Sequence, residues 1–178
     1  MMKKFFVIVS ATLLVFLIAG CAAKKEVGLN ETLKVNQFDG KYNFEMKVAS
    51  INENVEFKNV FDDENYPFYE VVLNIKNRRT DGNLGLVLMA FTLYDENNNI
   101  LGRTAANVMY ADMPSVPYEI ESGAEQTVKL YFSNEDNSKK AIDASKVDKM
   151  LVEVPSDAKV NDDGSIKISR NEFYIDLK

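Results

Sequence analysis

The stretch FYEVVLNIK, residues 68–76, alternates apolar and polar side chains. Successive side chains of a β-strand point to opposite faces, so this period of two predicts a half-buried strand. Four side chains would face a core: Tyr69, Val71, Leu73 and Ile75. The polar side chains Glu70, Asn74 and Lys76 would face water. The sequence has no long helical stripes elsewhere, so we expect an all-β protein.

Short apolar segments recur from about Leu33 onward, separated by clusters of Asn, Asp, Gly and Ser that are typical of turns. Further strands are predicted at residues 42–51, 55–60, 127–132, 150–154 and 173–177. The segment LGLVLMAFTLYD, residues 84–95, is apolar almost throughout and predicts a central strand covered on both faces, although periodicity alone does not exclude a buried helix. The eight or nine strands suffice for an antiparallel β-sandwich of two packed sheets.

Three connections are also predicted. Residues 95–99 form a turn signal that would join residues 84–95 to a partner strand at 100–109. Residues 161–164 would close a second hairpin. Residues 141–149 would contain one helical turn, capped by Asp143 or Ser145.

The N-terminus has the composition of a secretory leader. Lys3 and Lys4 precede an apolar run, residues 5–18, that is shorter than the ~20 residues of a membrane-spanning helix. The run ends in LIAGC, residues 17–21, which resembles the lipobox of bacterial lipoproteins. That resemblance implies cleavage after residue 20 and a diacylglyceryl group on Cys21. Residues 22–32 are polar and are interpreted as a flexible tether, followed by one β-sandwich domain over residues 33–178.

Charge limits the partners of this domain. The full chain has 21 basic and 27 acidic residues, for a net charge of −6. Lys3 and Lys4 lie in the leader, so the mature part has 19 basic and 27 acidic residues, for −8. This sign disfavours a nucleic-acid partner. Attachment to the membrane would therefore depend on the lipid anchor, outside the cytoplasm.

The segment FTLYD, residues 91–95, matches the motif for which the FxLYD domain family of bacterial lipoproteins is named. The preceding VLNIKN, residues 72–77, and the following NNILG, residues 98–102, resemble the family's flanking strand and turn. The resemblance covers about residues 69–132 and implies an immunoglobulin-like β-sandwich on the cell surface. Asn74 and Ser122 depart from the family pattern, where Gly and Pro are common. Phe91 and Leu93 share one face with Met89, so the motif is interpreted as a signature of fold rather than a site.

Catalytic chemistry is poorly represented in the composition. The chain has no histidine and only one cysteine, Cys21, which excludes Ser-His-Asp and Cys-His arrangements and the usual zinc ligands. Asp95, Asn97 and Asn99 open like a calcium loop, but Ile100 replaces the required glycine, and a hairpin turn is favoured. The acidic run of residues 62–64, with Asn65, could attract a hard cation, and an acidic surface loop explains it equally well. We expect no enzyme activity, no metal and no cofactor.

Two loops, residues 61–69 and 109–118, contain aromatic and Met side chains, which are typical of protein interfaces when they are exposed. The loops of a β-sandwich are also where it usually binds partners. The candidate contacts are Tyr66, Phe68, Tyr110, Met113 and Tyr118. The alternative is that these side chains fold onto the edge of the sandwich and cover it. The leading hypothesis is a non-catalytic surface binding module with an unknown protein or envelope ligand. Alternatives are a proteinase inhibitor that uses the proline-containing 109–118 loop, and an envelope-stress or assembly accessory protein.

The lipid anchor yields a direct prediction. Cys21→Ala removes the thiol that would be alkylated, and two acyl chains at ~0.8 kcal/mol per buried methylene would no longer hold the protein on the bilayer. We expect the variant to leave the membrane fraction on cell fractionation. Unchanged fractionation would contradict the anchor.

Overall fold

Residues 26–178 are the part of the chain that the structure, a computed structural model, describes. Their strands are β1 (Glu26–Val27), β2 (Leu33–Gln37), β3 (Tyr42–Lys58), β4 (Asn65–Asn77), β5 (Leu84–Gly85), β6 (Ala90–Tyr94), β7 (Ile100–Thr104), β8 (Glu119–Ile120), β9 (Glu125–Asn134), β10 (Lys149–Val160) and β11 (Ile166–Asp176). Short 3₁₀ turns form at Asn107–Met109 and Ala144–Lys146. Within this part of the chain, no helix is long and apolar enough to cross a membrane.

Nine strands form one sheet in the order β1-β11-β10-β6-β7-β9-β4-β3-β2, and β5 pairs with β8 in a small second sheet. All neighbours are antiparallel except β1 and β11. The large sheet folds back on itself, so that Asn171 of β11 donates a hydrogen bond from Nδ2 to Oε1 of Gln37 on β2. Its two halves enclose one apolar core. The all-β, immunoglobulin-like sandwich is confirmed, with its two layers continuous through the hydrogen-bonded ladder.

The fold-back depends on the long β3–β4 hairpin. Residues 42–51 and 55–60, predicted as two strands, instead belong to the single strand β3 as far as its end at Lys58. Its register with β4 shifts between Val48 and Ser50 and again between Asn52 and Val55. Such bulges bend a strand and increase its twist, which allows one strand to run through a curved sheet.

The inward faces follow the predicted alternation. Tyr69, Val71, Leu73 and Ile75 are at most 3% exposed, and the predicted inward side chains of β9, β10 and β11 are buried as well. The prediction that Glu70 faces water is wrong, because Glu70 is 2% exposed. The outer side of β4 has its own cover: residues 105–118 lie against it. The strand buried on both faces is therefore β4.

Residues 84–95 do not form the predicted central strand. The chain instead makes β5, turns at residues 86–89 with a hydrogen bond from the amide of Met89 to the carbonyl of Leu86 (3.0 Å), and then makes β6. The two pieces have different partners, since β5 pairs with β8 and β6 lies between β10 and β7. The partner strand β7 is also shorter than predicted, because the chain leaves the sheet after Thr104.

The β6–β7 and β10–β11 hairpins are confirmed. The predicted helical turn is confirmed as a 3₁₀ turn, with Asp143 accepting a hydrogen bond from the amide of Ser145 (3.2 Å). The predicted tether is too long, because β1 pairs with β11 and Val27 is 4% exposed. A two-residue strand is too short to show a period in the sequence. The leader, Cys21 and the tether residues 22–25 lie outside the described residues.

The end of β4 is fixed by a buried side chain, Asn77, which is 0% exposed. Its Nδ2 donates to the carbonyls of Gly82 (3.1 Å), Ile120 (2.9 Å) and Glu121 (3.0 Å). Its Oδ1 accepts from the amide of Arg79 (2.9 Å). One amide group thus connects the end of β4 to the loop that follows it and to the segment that leads into β9.

Removal of this amide should destabilise the domain. Asn77→Ala leaves buried backbone groups without partners, so we expect the free energy of unfolding to fall by about 1–3 kcal/mol in urea denaturation. Asn74→Ala is the matched control, since Asn74 is half-exposed and has one side-chain hydrogen bond, from Thr127. The control should change stability by no more than about 0.5 kcal/mol. Equal losses in the two variants would contradict this role of Asn77.

Candidate interaction surface

The five residues predicted to contact a partner do not form one exposed surface. Tyr66, Phe68 and Met113 are 7%, 1% and 6% exposed, so a partner has no access to them in this structure. Tyr110 is half-buried. Only Tyr118, at 78%, is freely exposed. The alternative that these side chains cover the sandwich therefore holds for the first three.

The buried members form an outer cluster, defined here as Tyr66, Phe68, Met113 and Tyr131 with Phe57 and Tyr110 packed against them. Its rings meet edge to face, with centroids 4.8 Å apart for Phe68 and Tyr110 and 4.9 Å apart for Phe57 and Tyr131. This geometry is favourable for aromatic pairs. The outer cluster is the apolar contact by which residues 105–118 attach to β4 and β9.

Backbone hydrogen bonds hold the same segment in place. The amide of Ala105 donates to the carbonyl of Tyr131 (2.8 Å), and the amide of Ala111 donates to the carbonyl of Lys58 (2.8 Å). Asn59 and Tyr110 form an isolated β-bridge. The 105–118 segment is therefore attached to the sheet up to Met113, with the side chains of Val108 and Met109 pointing to solvent.

The acidic loop between β3 and β4 is engaged in internal contacts. Tyr66 donates a hydrogen bond from its hydroxyl to Asp62 (2.7 Å), which lowers the pKa of that carboxyl and raises the pKa of the tyrosine. Lys139 pairs with both Asp62 and Glu64, and Lys58 pairs with Asp63 (2.7 Å). Each of the three carboxylates of the loop is thus paired with one of two lysines.

Asp95 has a structural task at the β6–β7 turn. Its Oδ1 accepts from the amides of Asn97 (2.9 Å) and Asn99 (2.7 Å), and its Oδ2 accepts from the side chain of Asn99 (2.8 Å). These bonds, led by those from Asn99, lower the pKa of Asp95. Asn98 has a φ of 62°, as this tight turn requires. Within residues 26–178, no group of three or more acidic or Cys side chains is arranged to hold a metal ion.

The exposed apolar area around Tyr118, called here the Tyr118 surface, consists of Val87, Val116, Pro117 and Tyr118, which together line a shallow pocket. Val87 is 64% and Val116 is 39% exposed. The amide of Leu86 donates to the carbonyl of Tyr118 (2.9 Å), which joins the two loops. Val116 and Tyr118 also border a groove of about 220 Å³.

This groove has an uncharged lining. Its walls are Thr104, Ala105, Ala106, Asn107, Met113, Pro114, Ser115, Val116, Tyr118 and Tyr131. The aromatic floor, Tyr131, is 4% exposed and belongs to the outer cluster. The arrangement offers a buried aromatic base with one exposed aromatic ring at its rim, and its lining contains no charged side chain that would select an ion.

Sequence reasoning missed Val87, because residues 84–95 were assigned to a buried strand. Its neighbour Leu88 is also exposed, at 41%. No local signal distinguishes these two side chains from the buried Leu86 and Met89. Only the separate pairing of β5 with β8 reveals that the chain turns outward here.

Below the covered face of β4, Glu70 forms a buried polar network. Asn52 donates a hydrogen bond from Nδ2 to Glu70, and Nζ of Lys129 lies 3.2 Å from the same carboxylate. Burial alone would raise the pKa of Glu70, but hydrogen bonds from Asn52, Tyr131 and Lys129 outweigh it and hold the pKa below its usual value. Burial and the bond to Glu70 raise the pKa of Tyr131. Since Tyr131 is also the groove floor, this network fixes the base of the candidate site.

The lowered pKa of Glu70 predicts a pH-dependent loss of stability. When the pKa of a carboxyl is lower in the folded than in the unfolded state, its ionised form stabilises the fold. This contribution is fully present when the pH is above the unfolded-state pKa, and it is lost as the pH falls through the folded-state pKa. Glu70→Gln should therefore cost about 1–3 kcal/mol at neutral pH in urea unfolding. The difference should shrink at acid pH, below the ordinary value of 4.5.

The control for this experiment is Glu125→Gln, because Glu125 is an exposed glutamate on β9. It should alter stability by no more than about 0.5 kcal/mol at either pH. A loss in Glu70→Gln that stays constant with pH would contradict the role of the charge.

Comparison with known proteins supports the fold and assigns no family. No protein-family profile matches the sequence, and no curated protein matches it. Among solved structures, the chain is similar to MPT63, a secreted protein from Mycobacterium tuberculosis, with a TM-score of 0.51 and 14% identity. The similarity covers 84% of this chain and 99% of MPT63. At this identity the comparison shows that the two proteins share a β-rich fold, and it shows nothing beyond the fold.

Proposed function

We propose that the protein is a membrane-anchored lipoprotein whose β-sandwich is a non-catalytic module that binds another protein through the Tyr118 surface. The leader and the lipobox-like LIAGC, residues 17–21, support the anchor. The likeness to MPT63, a secreted protein, agrees with a place outside the cytoplasm.

The composition supports the non-catalytic part of the proposal. With no histidine in the chain, there is no imidazole to act as a general base near neutral pH. The carboxylate and the phenol of the network at Glu70 are covered, since Glu70 is 2% and Tyr131 4% exposed. Its hydrogen bonds hold the groove floor in position and leave no carboxylate aimed into the groove.

The observation that carries the proposal is the uncharged groove bordered by the exposed ring of Tyr118. Pockets for small organic ligands typically enclose ~300–1,000 Å³. The groove, at about 220 Å³, is smaller than this and suits one apolar side chain inserted by a protein partner. Exposed tyrosines beside rigid apolar surface are the residues that dominate protein interfaces.

Membership of the FxLYD family is proposed on the placement of its motif. Phe91 and Leu93 are 6% and 0% exposed and face the main core, and Asp95 closes the turn. The motif therefore builds the β6–β7 corner of the sandwich. Core packing and turn closure are the roles expected of a motif that marks a fold rather than a binding site.

The burial of Met113 shortens the part of the 109–118 loop that a proteinase inhibitor could insert into an enzyme. The stretch between the buried Met113 and the buried Ile120 begins with residues 114–118, of which all but the half-exposed Pro117 are exposed. An inhibitory loop would use this stretch, and three of its residues, Val116, Pro117 and Tyr118, belong to the Tyr118 surface. A role in envelope stress or assembly would likewise use this surface.

The test is site-specific photo-crosslinking of the full-length protein in cells. A photo-reactive phenylalanine at position 118 should crosslink to a partner, and the same group at position 61 should not. Phe61 matches Tyr118 in exposure, at 79% and 78%. It precedes the first residue of β4, whereas Tyr118 lies near the other end of that strand, where Asn77 bonds to the carbonyl of Ile120. Tyr118→Ser should reduce co-purification of that partner at least about tenfold, as loss of an interface hot spot does.

Phe61→Ser is the control for the co-purification and should leave the recovery unchanged. Equal recovery of the partner with both serine variants would overturn the assignment of the Tyr118 surface.

A further inference from the structure

The outer part of the β10–β11 hairpin stands apart from both apolar clusters. This segment, called here the arm, comprises residues 157–170, which are exposed except for the half-exposed Ile168. Among the described residues, none of the arm belongs to the main core or the outer cluster. A two-stranded hairpin without a covering layer is only marginally stable in water.

The register of the hairpin gives the arm one apolar face. Ala158 pairs with Ile168, and Val160 pairs with Ile166. Positions two apart on a strand share a face, so these four side chains lie together. Val160 is 73% and Ile166 is 67% exposed. The opposite face is polar, with Lys159 paired to Lys167 and Asp157 to Ser169.

The arm also differs from the rest of the domain in charge. Its three basic residues, Lys159, Lys167 and Arg170, balance its three acidic residues, Asp157, Asp162 and Asp163. The arm is therefore neutral, whereas the mature chain carries −8. Anionic headgroups repel the domain as a whole, but they do not repel this part of it.

The position of β1 places the arm next to the proposed anchor. Glu26 and Val27 pair in parallel with Tyr174 and Ile175, so the chain enters β1 from the side on which the arm projects. Cys21 precedes Glu26 by five residues, which span at most ~18 Å. Strand β11 extends eight residues from Tyr174, the partner of Glu26, back to Ile166 in the arm, or ~26 Å. A bilayer that holds Cys21 is therefore within reach of the arm, on the side from which the chain enters β1.

We propose that the apolar face of the arm lies in the interfacial layer of the same bilayer that holds the lipid anchor. This inference rests on the lipid anchor of the proposed function. Insertion of the Val160–Ile166 pair buries apolar surface that is otherwise hydrated, and the arm then acts as a second contact that orients the sandwich on the membrane. Lys159 and Lys167, on the other face, stay in contact with water and headgroups.

The absence of tryptophan from the sequence makes a direct test available. Ile166→Trp introduces a single reporter at an exposed position. The lipidated protein, purified from membranes, is reconstituted on vesicles of phosphatidylethanolamine and phosphatidylglycerol, with and without brominated acyl chains. We expect the emission to shift to shorter wavelength on the vesicles and to be quenched by the brominated lipid. Phe61→Trp is the matched control and should show neither effect.

Each other outcome overturns the proposal in a distinguishable way. If the protein floats with the vesicles but the emission of Ile166→Trp stays unshifted and unquenched, the arm does not touch the bilayer although the anchor holds. If the protein fails to float, the anchor itself is wrong, and the arm proposal falls with it. The third outcome is a blue shift of the Ile166→Trp emission that brominated lipid does not quench. If the same shift is seen without vesicles when Cys21→Ala is combined with Ile166→Trp, the apolar face is covered by a second copy of the chain.

Discussion

The burial of β4 on both faces is the constraint on which the rest of the structure depends. On its inner side, Val71, Leu73 and Ile75 lie in the main core at 0% exposure. On its outer side, Phe68 supports the outer cluster and Glu70 the polar network. A strand of this kind has to be in the interior of the sheet, and β4 pairs with β3 on one side and β9 on the other. The covering segment 105–118 completes the layer above it.

This constraint explains why a charged residue lies under the cover. A buried carboxylate is costly unless its oxygens are hydrogen-bonded and its charge is paired. Glu70 meets that condition with Asn52 and Tyr131 as donors and with Lys129, whose side chain is 49% exposed, as the counter-charge. Because Lys129 reaches solvent, the pair is only half desolvated. The network can therefore fix Tyr131 under the groove at a modest cost in stability.

The sequence predicted what depends on local periodicity and turn chemistry. The alternation in residues 68–76 located β4 and its inward face, and the residues 161–164 located the β10–β11 turn, where Gly164 has a φ of 80°. Residue type predicted Asp143 or Ser145 as a helix cap, and in the structure it is Asp143 that accepts a hydrogen bond from the amide of Ser145. These features require only the residues within a few positions of each other. The register of β6 with β10 and of β7 with β9 joins distant parts of the chain, and no local pattern encodes it.

The errors have a common physical origin, which also determines where the candidate site lies. Phe68 and Tyr118 are both aromatic residues in proline-containing segments, yet they are 1% and 78% exposed. The difference arises because the 105–118 segment folds over Phe68 and ends at Tyr118. In the same way, Val87 is exposed because the small β5–β8 sheet turns the chain outward. Exposure of an apolar side chain on this sandwich is decided by which loop covers which strand. Only the tertiary structure could therefore reduce five candidate contacts to Tyr118 and add Val87 beside it.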